Sequence, residues 1–565
     1  LFSRVMPEFQ YDDNLDELMC FAGKKHFADE PSEVFVVTDY GIRPDTTTDL
    51  TSALQTLIDK VGQAGGGRIF FPKGRYLFCA NGEFIRINHS HVWLEGEIDA
   101  DGMPLAELVC CSTTVKGHKN PWLSPFFITT GEQLQPSNEF FGVQFKNKQD
   151  TILHSGSLSD PGSDGSLLQP EYATKLTCTA QRGDDVIYVE DSRLPKYIMI
   201  ALYNTTPDGN LIKEILGVDA LSDEWTTARR AGDEQAPSYQ WLVEVAEIID
   251  SHRVRLARPL LRDLPMNYEP TVFSVEMLED VSIRNLRLNS LWNGMFRHHG
   301  FPLYYSVRQS QVMDYGWNAI NMKRVAHGEV SNVQIMNFTN PLYVLDSRNI
   351  TVKDLLIDGH DGHQGIKVYQ HACDNLFQRV RFLCNYADMM GGEGNAYGNV
   401  FADIVYANPL FNPVDFDFHG FSEGPMSPPS DNLFVRVQGF RYIKSAAARH
   451  MLPGAAQRNR WYHLSTEGER QGDVLFLDLA CKPKKGLLKF VTAVGYSIVM
   501  MRKNREYSFA KFVSTIRRKL ADIDRVAIPP RRHYELFVGT EIRDVTTTAD
   551  LSGIDSRVIK IVNSK

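Results

Sequence analysis

The chain has 565 residues, 43% of them hydrophobic and 11% aromatic, which is ample for a large core and longer than one ordinary domain. A formal net charge of −9 and a pI near 6.0, with no strongly basic tract, argue against a nucleic-acid partner and leave neutral and acidic sugar substrates equally open. The eight cysteines show no CxxC and no zinc spacing, so they read as small buried apolar residues with room for one disulfide.

Residues 1–33 are polar and mixed, an N-terminal extension. The chain starts at Leu1 without a charged and apolar leader, an expectation of a signal peptide already removed and of a secreted, periplasmic or cell-surface protein. The most apolar run, residues 487–501, contains Lys489 and is too short to span a bilayer, so no membrane partner is expected. From Val34 a β-branched strand is followed by Thr48 or Asp49 as a cap. Behind it comes a helix with Leu50, Leu54, Leu57, Ile58 and Val61 on one face. Gly65, Gly66 and Gly67 end that helix, and a second strand from Arg68 turns at Pro72-Lys73-Gly74.

The run Gly65, Gly66, Gly67, Ile69, Phe71, Pro72, Gly74 and Tyr76, behind an amphipathic helix, resembles the amino-terminal segment of the pectate-lyase-like superfamily. The resemblance implies an all-β fold, a right-handed parallel β-helix whose open end is covered by the helix. It leaves the reaction open, because lyases, glycoside hydrolases, epimerases and phage tailspikes share the fold. Capping suits the physics, since a coil end exposes unpaired backbone and a slice of core.

Residues 34–169 then hold the cap and first coils, with a Gly- and Ser-rich loop at 156–168. Residues 170–265 carry short strands with turn signals about every ten residues, a small antiparallel β subdomain inserted between coils. The main β-helix is expected over 266–505, and a C-terminal helix (508–522) with its tail over 506–565.

From Asp280 a register emerges, with anchors at Asp280, Tyr305, Gly328, Asn349, Asn375, Asn399, Asn432 and Asn459, spaced 25, 23, 21, 26, 24, 33 and 27 residues apart. Strands at that period without intervening helices define a solenoid. The recurrent asparagines suit an amide ladder at a coil corner, each side chain bonding its copy one rung away. The 33-residue gap holds a Gly/Pro/Ser excursion, and solenoid insertions tend to form loops on the binding face.

Each coil has a second strand, aligned at 294–298, 318–323, 341–345, 365–371, 387–391, 414–419 and 446–450. Period-two alternation places Met295, Ile320, Met322, Leu342, Val344, Ile366, Val368, Phe416 and Phe418 inward. The outward set then includes His298, Asn321, Lys323, Tyr343, Lys367, Tyr369, His371, Asp415, Asp417, His419 and Arg449, with His450 adjoining. Asp388 lies on the rung between Lys367 and Asp417. The run His360-Asp361-Gly362-His363 makes a turn before this region, and Trp292, Trp317 and Trp461 are candidates for either sugar stacking or core.

Such a column suits cleavage of a uronic-acid polysaccharide by β-elimination. That reaction needs charge neutralisation at the carboxylate, a base for the C5 proton and an acid at the leaving oxygen. Lys367 and Arg449 would neutralise, His419 would act as base and Tyr369 as acid, with Lys323, Tyr343, His371, His298 and His450 binding substrate. Asp415 and Asp417, with Asp388 or Glu393, could instead hold Ca²⁺. The alternatives are a glycoside hydrolase using paired aspartates on the same groove, and a non-catalytic glycan-binding solenoid.

Overall fold

The structure is a computed structural model. It describes residues 19–25, 30–45, 47–79, 84–113, 126–131, 145–146, 152–153, 173–206, 209–216, 237–294, 316–406, 415–418, 427, 429–440, 442–445, 458–466, 476–478, 494, 513, 516, 540–545, 551, 556 and 559–564. Among them, two long parallel sheets of 14 and 9 strands run side by side, each coil giving one strand to each. In the larger sheet Ser282–Ser290 pairs with Glu329–Met336. Thr351–Asp358, Leu376–Phe382, Val400–Tyr406, Leu433–Phe440 and Arg460–Thr466 follow, one coil apart. This is a parallel β-helix.

The core lies between the sheets, where inward residues stack on their copies. Phe377, Phe401, Phe434 and Trp461 form a column with ring centroids 4.6, 4.8 and 5.4 Å apart and planes within 8°. Trp461 is therefore core rather than a sugar platform. The asparagine ladder is present from Asn375 onward. Asn375 Nδ2 donates to Asn399 Oδ1 (2.9 Å), Asn399 to Asn432 (3.0 Å) and Asn432 to Asn459 (3.1 Å), all buried. Asn349 departs from it and donates to the carbonyls of Phe21 and Gly23, tying the amino-terminal segment down.

At the amino-terminal end the helix Thr51–Gln63 buries Leu54, Leu57, Ile58 and Val61 against the first strands. Asp49 accepts the Thr51 N–H (3.0 Å) and hydroxyl (2.7 Å) at its start. Gly66 is required past its end, at φ 109°, where a Cβ would sit 2.5 Å from the His91 carbonyl. Cys79 and Cys111 form a disulfide beside this cap.

Residues 173–274 contribute a six-stranded sheet with antiparallel pairings, ending in Thr271–Ser274, beyond the expected boundary at 265. It packs on the coil corners at Ala326, Cys373 and Tyr397. Glu244 reaches His327 (2.9 Å), Arg182 reaches Asp431 (3.3 Å), and Arg258 pairs with Asp374.

Three sequence alignments need correction. Ser282–Ser290 pairs directly with Glu329–Met336, which leaves no place between them for a rung at the Tyr305 frame, itself outside the described residues. Likewise Asn318–Lys323 pairs with Ile128–Thr130, which takes the place given to 294–298 and hence to His298. Finally, the strand expected at 446–450 is Tyr442–Ser445. Tyr442 and Ile443 favour strand, whereas an alanine run does not. The C-terminal helix lies outside the described residues except for helical Val513 and Ile516. Strands Thr540–Arg543 and Ile559–Val562 extend the larger sheet. No helix among the described residues is long and apolar enough to cross a membrane.

Candidate active site

The nine-stranded sheet builds the column. Asn321 pairs in register with Tyr343, Tyr343 with Lys367, Lys367 with Gly391, Gly391 with Asp417 and Asp417 with Lys444. The alternate positions Ile320, Leu342, Ile366 and Met390 are in the core, which fixes the parity of each strand. With rungs 4.8 Å apart, Lys367 and Asp417 are about 10 Å apart and Lys367 and Lys444 about 14 Å. Gly391 puts no side chain between the first pair. Lys444 escaped the sequence reading because its strand was placed four residues too late.

The column is not an ordinary solvated face. Lys367 is 1% exposed, Lys323 3% and Asn321 8%. Beside it runs a row of amides: Asn340 Nδ2 donates to Asn318 Oδ1 (2.6 Å), and the Gln364 N–H donates to Asn340 Oδ1 (3.1 Å). The Tyr343 hydroxyl donates to Gln364 Oε1, and its ring lies 4.8 Å from that of Phe126. The row continues in register from Gln364 to Asp388, which is 8% exposed. Phe416 pairs with Met390, so Asp415 lies one step toward Asp388, with their backbones about 6 Å apart.

Asp388 and Glu393 stand five residues apart in the strand Tyr386–Glu393, about 16 Å at 3.3 Å per residue. They cannot share one ion whose oxygen ligands lie about 2.3–2.6 Å away. Only one of them can therefore join Asp415 and Asp417 on the neighbouring rung, Asp388 lying toward Asp415 and Glu393 toward Asp417. No group of three His, Cys, Asp or Glu among the described residues forms a metal cluster.

His371 is not on the column. The strand ends at Tyr369, Gln370 turns the chain at φ 53°, and His371 is fully buried with Nδ1 2.7 Å from Asp346. Lys323 keeps its register position but is buried, with its backbone bonded to Thr130. The chain bends at Gly359 and His360, while Gly362 and His363 of the expected turn already belong to the strand Gly362–Tyr369. Asp361 accepts the Asn385 N–H one coil on (2.9 Å), and His360 meets buried Trp292 edge-on at 5.7 Å. His298, His419, Arg449 and His450 lie outside the described residues, as do the side chains of Tyr369, Glu393, Asp415 and Asp417.

Coil topology defines the class: a parallel β-helix, with a polar column on one of its sheets. Residues 34–93 match the family described as Rhamnogalacturonase A/epimerase, pectate lyase-like. No curated protein matches the sequence. Similar solved structures include a hyperthermoactive exopolygalacturonase from Thermotoga maritima (10% identity, 84% of this chain and 81% of that one, TM-score 0.37). The A-module of the mannuronan C-5 epimerase AlgE6 from Azotobacter vinelandii is another (10%, 77% and 90%, 0.34). A third is the tailspike gp49 from Pseudomonas phage LKA1 (10%, 78% and 78%, 0.34).

Proposed function

We propose that this protein is a secreted enzyme that cleaves a uronate-bearing polysaccharide by β-elimination along the outer column of the nine-stranded sheet. The observation that carries the reading is the register Lys367–Gly391–Asp417–Lys444, in which two cations stand on either side of a carboxylate within four successive rungs. A glycan lying along the solenoid axis crosses one coil per rung, and cations at that spacing suit an anionic sugar better than a neutral one. The family matched at residues 34–93 is described as rhamnogalacturonase A/epimerase, pectate lyase-like, which suits a glycan substrate.

In this scheme Lys367 neutralises the substrate carboxylate, which acidifies the C5 proton, and its burial strengthens that charge interaction. His419, directly after the Asp415–Phe418 strand, takes the proton. Tyr369, two residues beyond Lys367, supplies the acid at the leaving oxygen. Asp415 and Asp417, with Asp388 or Glu393, would hold a calcium ion, which would supply further positive charge at the carboxylate.

One observation favours a second reading, hydrolysis. Asp415 and Asp417 are about 6.6 Å apart along their strand, within the span of an inverting carboxylate pair. Digestion of a panel of acidic polysaccharides separates the two. Elimination yields an ultraviolet-absorbing unsaturated uronate with each new reducing end, whereas hydrolysis yields the reducing end alone. Binding without either product would instead make the column a glycan-adhesion surface.

A further inference from the structure

We infer that Asn395 is a positioning residue that clamps the end of the long inter-rung segment between the solenoid corner and the six-stranded sheet. The inference rests on the proposed function only for its activity arm. Asn395 is fully buried, four residues past Gly391 of the column. Its Oδ1 lies within hydrogen-bond distance of four donor groups: the Tyr397 hydroxyl (2.7 Å), the Ser427 hydroxyl (2.9 Å), the Ser427 N–H (3.3 Å) and the Gln240 N–H (3.3 Å), the two hydroxyls sharing their protons between Oδ1 and each other. Those donors come from three places. Tyr397 belongs to the coil corner, Gln240 to the strand Pro237–Ile248 of the inserted sheet, and Ser427 to the 33-residue gap after the Asp415–Phe418 strand.

This crowding of donors fixes the amide. With Oδ1 so committed, Nδ2 faces His371 Nε2 at 3.5 Å and must donate to it, which leaves Nδ1–H to donate to Asp346 Oδ1 at 2.7 Å. Tyr397 ties the same point again, bonding Ser427 through its hydroxyl and stacking on Tyr239 at 5.0 Å. Asn395 thus joins the strand carrying Lys367 and Tyr369, the segment that starts at His419, and the inserted sheet. The inserted sheet then has a task beyond covering the corner, because one of its backbone N–H groups completes the clamp. In the sequence Asn395 sits in GGEGNAYGN and reads as a turn residue.

The experiment is amide hydrogen exchange on the full chain, wild type, Asn395→Ala and Asn395→Asp. In the wild type the Ser427 amide should exchange as slowly as the Gln240 strand amide, although Ser427 is in no strand. Fast exchange there overturns the clamp without any variant. Asn395→Ala should speed exchange at Ser427 and Gln240 on the order of tenfold, the equivalent of one lost hydrogen bond, while Phe401 and Val437 amides keep wild-type rates. Asn395→Asp keeps an acceptor for the Ser427 and Gln240 N–H groups and should restore their protection, its second oxygen accepting from His371 once the imidazole takes up a proton at Nε2. Equal protection in wild type and Asn395→Ala, or loss spread evenly over the solenoid, overturns the clamp. On a substrate the wild type cleaves, Asn395→Ala should lower kcat on the order of 10²-fold with little change in KM, and Asn395→Asp should recover it. Released Ser427 with unchanged kcat refutes the positioning role. If no polysaccharide is cleaved, the proposed function fails while the exchange arm still decides the clamp.

Discussion

Replacing Asn399 by alanine tests the corner ladder directly. Its Oδ1 accepts from the Asn375 backbone N–H (3.2 Å) and Nδ2 (2.9 Å), and its Nδ2 donates to Asn432 Oδ1 (3.0 Å) and the Ala372 carbonyl (2.9 Å). Asn375 Nδ2 keeps Ser347, Asn432 Oδ1 keeps the Asn399 N–H, and the Ala372 carbonyl keeps the Tyr397 N–H. The Asn375 N–H is the one group left without a partner, at about 1–3 kcal/mol, and three further bonds are lost at about 1 kcal/mol each. Asn399→Ala should therefore destabilise by about 4–6 kcal/mol. Urea unfolding followed by circular dichroism and tryptophan fluorescence reads this, because Trp461 stacks on Phe434 two coils along the same corner. A loss below about 1 kcal/mol would show that water or backbone rearrangement replaces the ladder at no cost.

Reducing Cys79–Cys111, which closes a loop of sequence separation 32, should lower stability by about 3–4 kcal/mol and loosen the end under the capping helix first, as proteolysis would report. Asp431 supplies a pH test. Burial pushes its carboxyl up, but the two Arg458 bonds (2.7 and 2.8 Å) and Arg182 outweigh this and leave it lowered. A lowered carboxylate stabilises the fold above its unfolded value near 3.9 and loses that contribution as pH falls through the lower folded value. Stability should fall below about pH 4, with a flatter acid limb in Asp431→Asn. Lys367→Met keeps a buried side chain of similar length and should cut kcat on the order of 10²–10³-fold with unchanged circular dichroism. Wild-type turnover in that variant would remove Lys367 from the chemistry.

The parts of the fold legible in the sequence are those that repeat. A corner that needs an amide on every coil writes Asn at 375, 399, 432 and 459, and a core that stacks like on like writes Phe377, Phe401, Phe434 and Trp461 at the same step. Anchor spacing alone also put a rung at Tyr305, where Ser282–Ser290 pairs directly with Glu329–Met336 instead. The outer bend of the larger sheet was invisible for another reason. Asn285, Asn332, Asp354, Arg379, Asp403, Arg436 and His463 all take φ between 50° and 58°, a conformation no arginine or histidine announces. Their side chains hold one another across rungs, as in the paired bonds of Arg379 to Asp354 at 2.6 and 2.7 Å. At the site, parity found Lys367 and its register with Asp417. It could not show that the chain leaves the strand at Gln370 and buries His371, because a turn set by backbone conformation leaves the residue types unchanged.

The central claim is elimination at the Lys367–Asp417 column. Its most direct measurement is ultraviolet absorbance during digestion of a uronate polysaccharide, with reducing ends counted in parallel, for wild type and Asp417→Ala. The account predicts one unsaturated uronate per new reducing end in the wild type and neither product in the variant. Reducing ends without absorbance, or an Asp417→Ala protein as active as wild type, would contradict it.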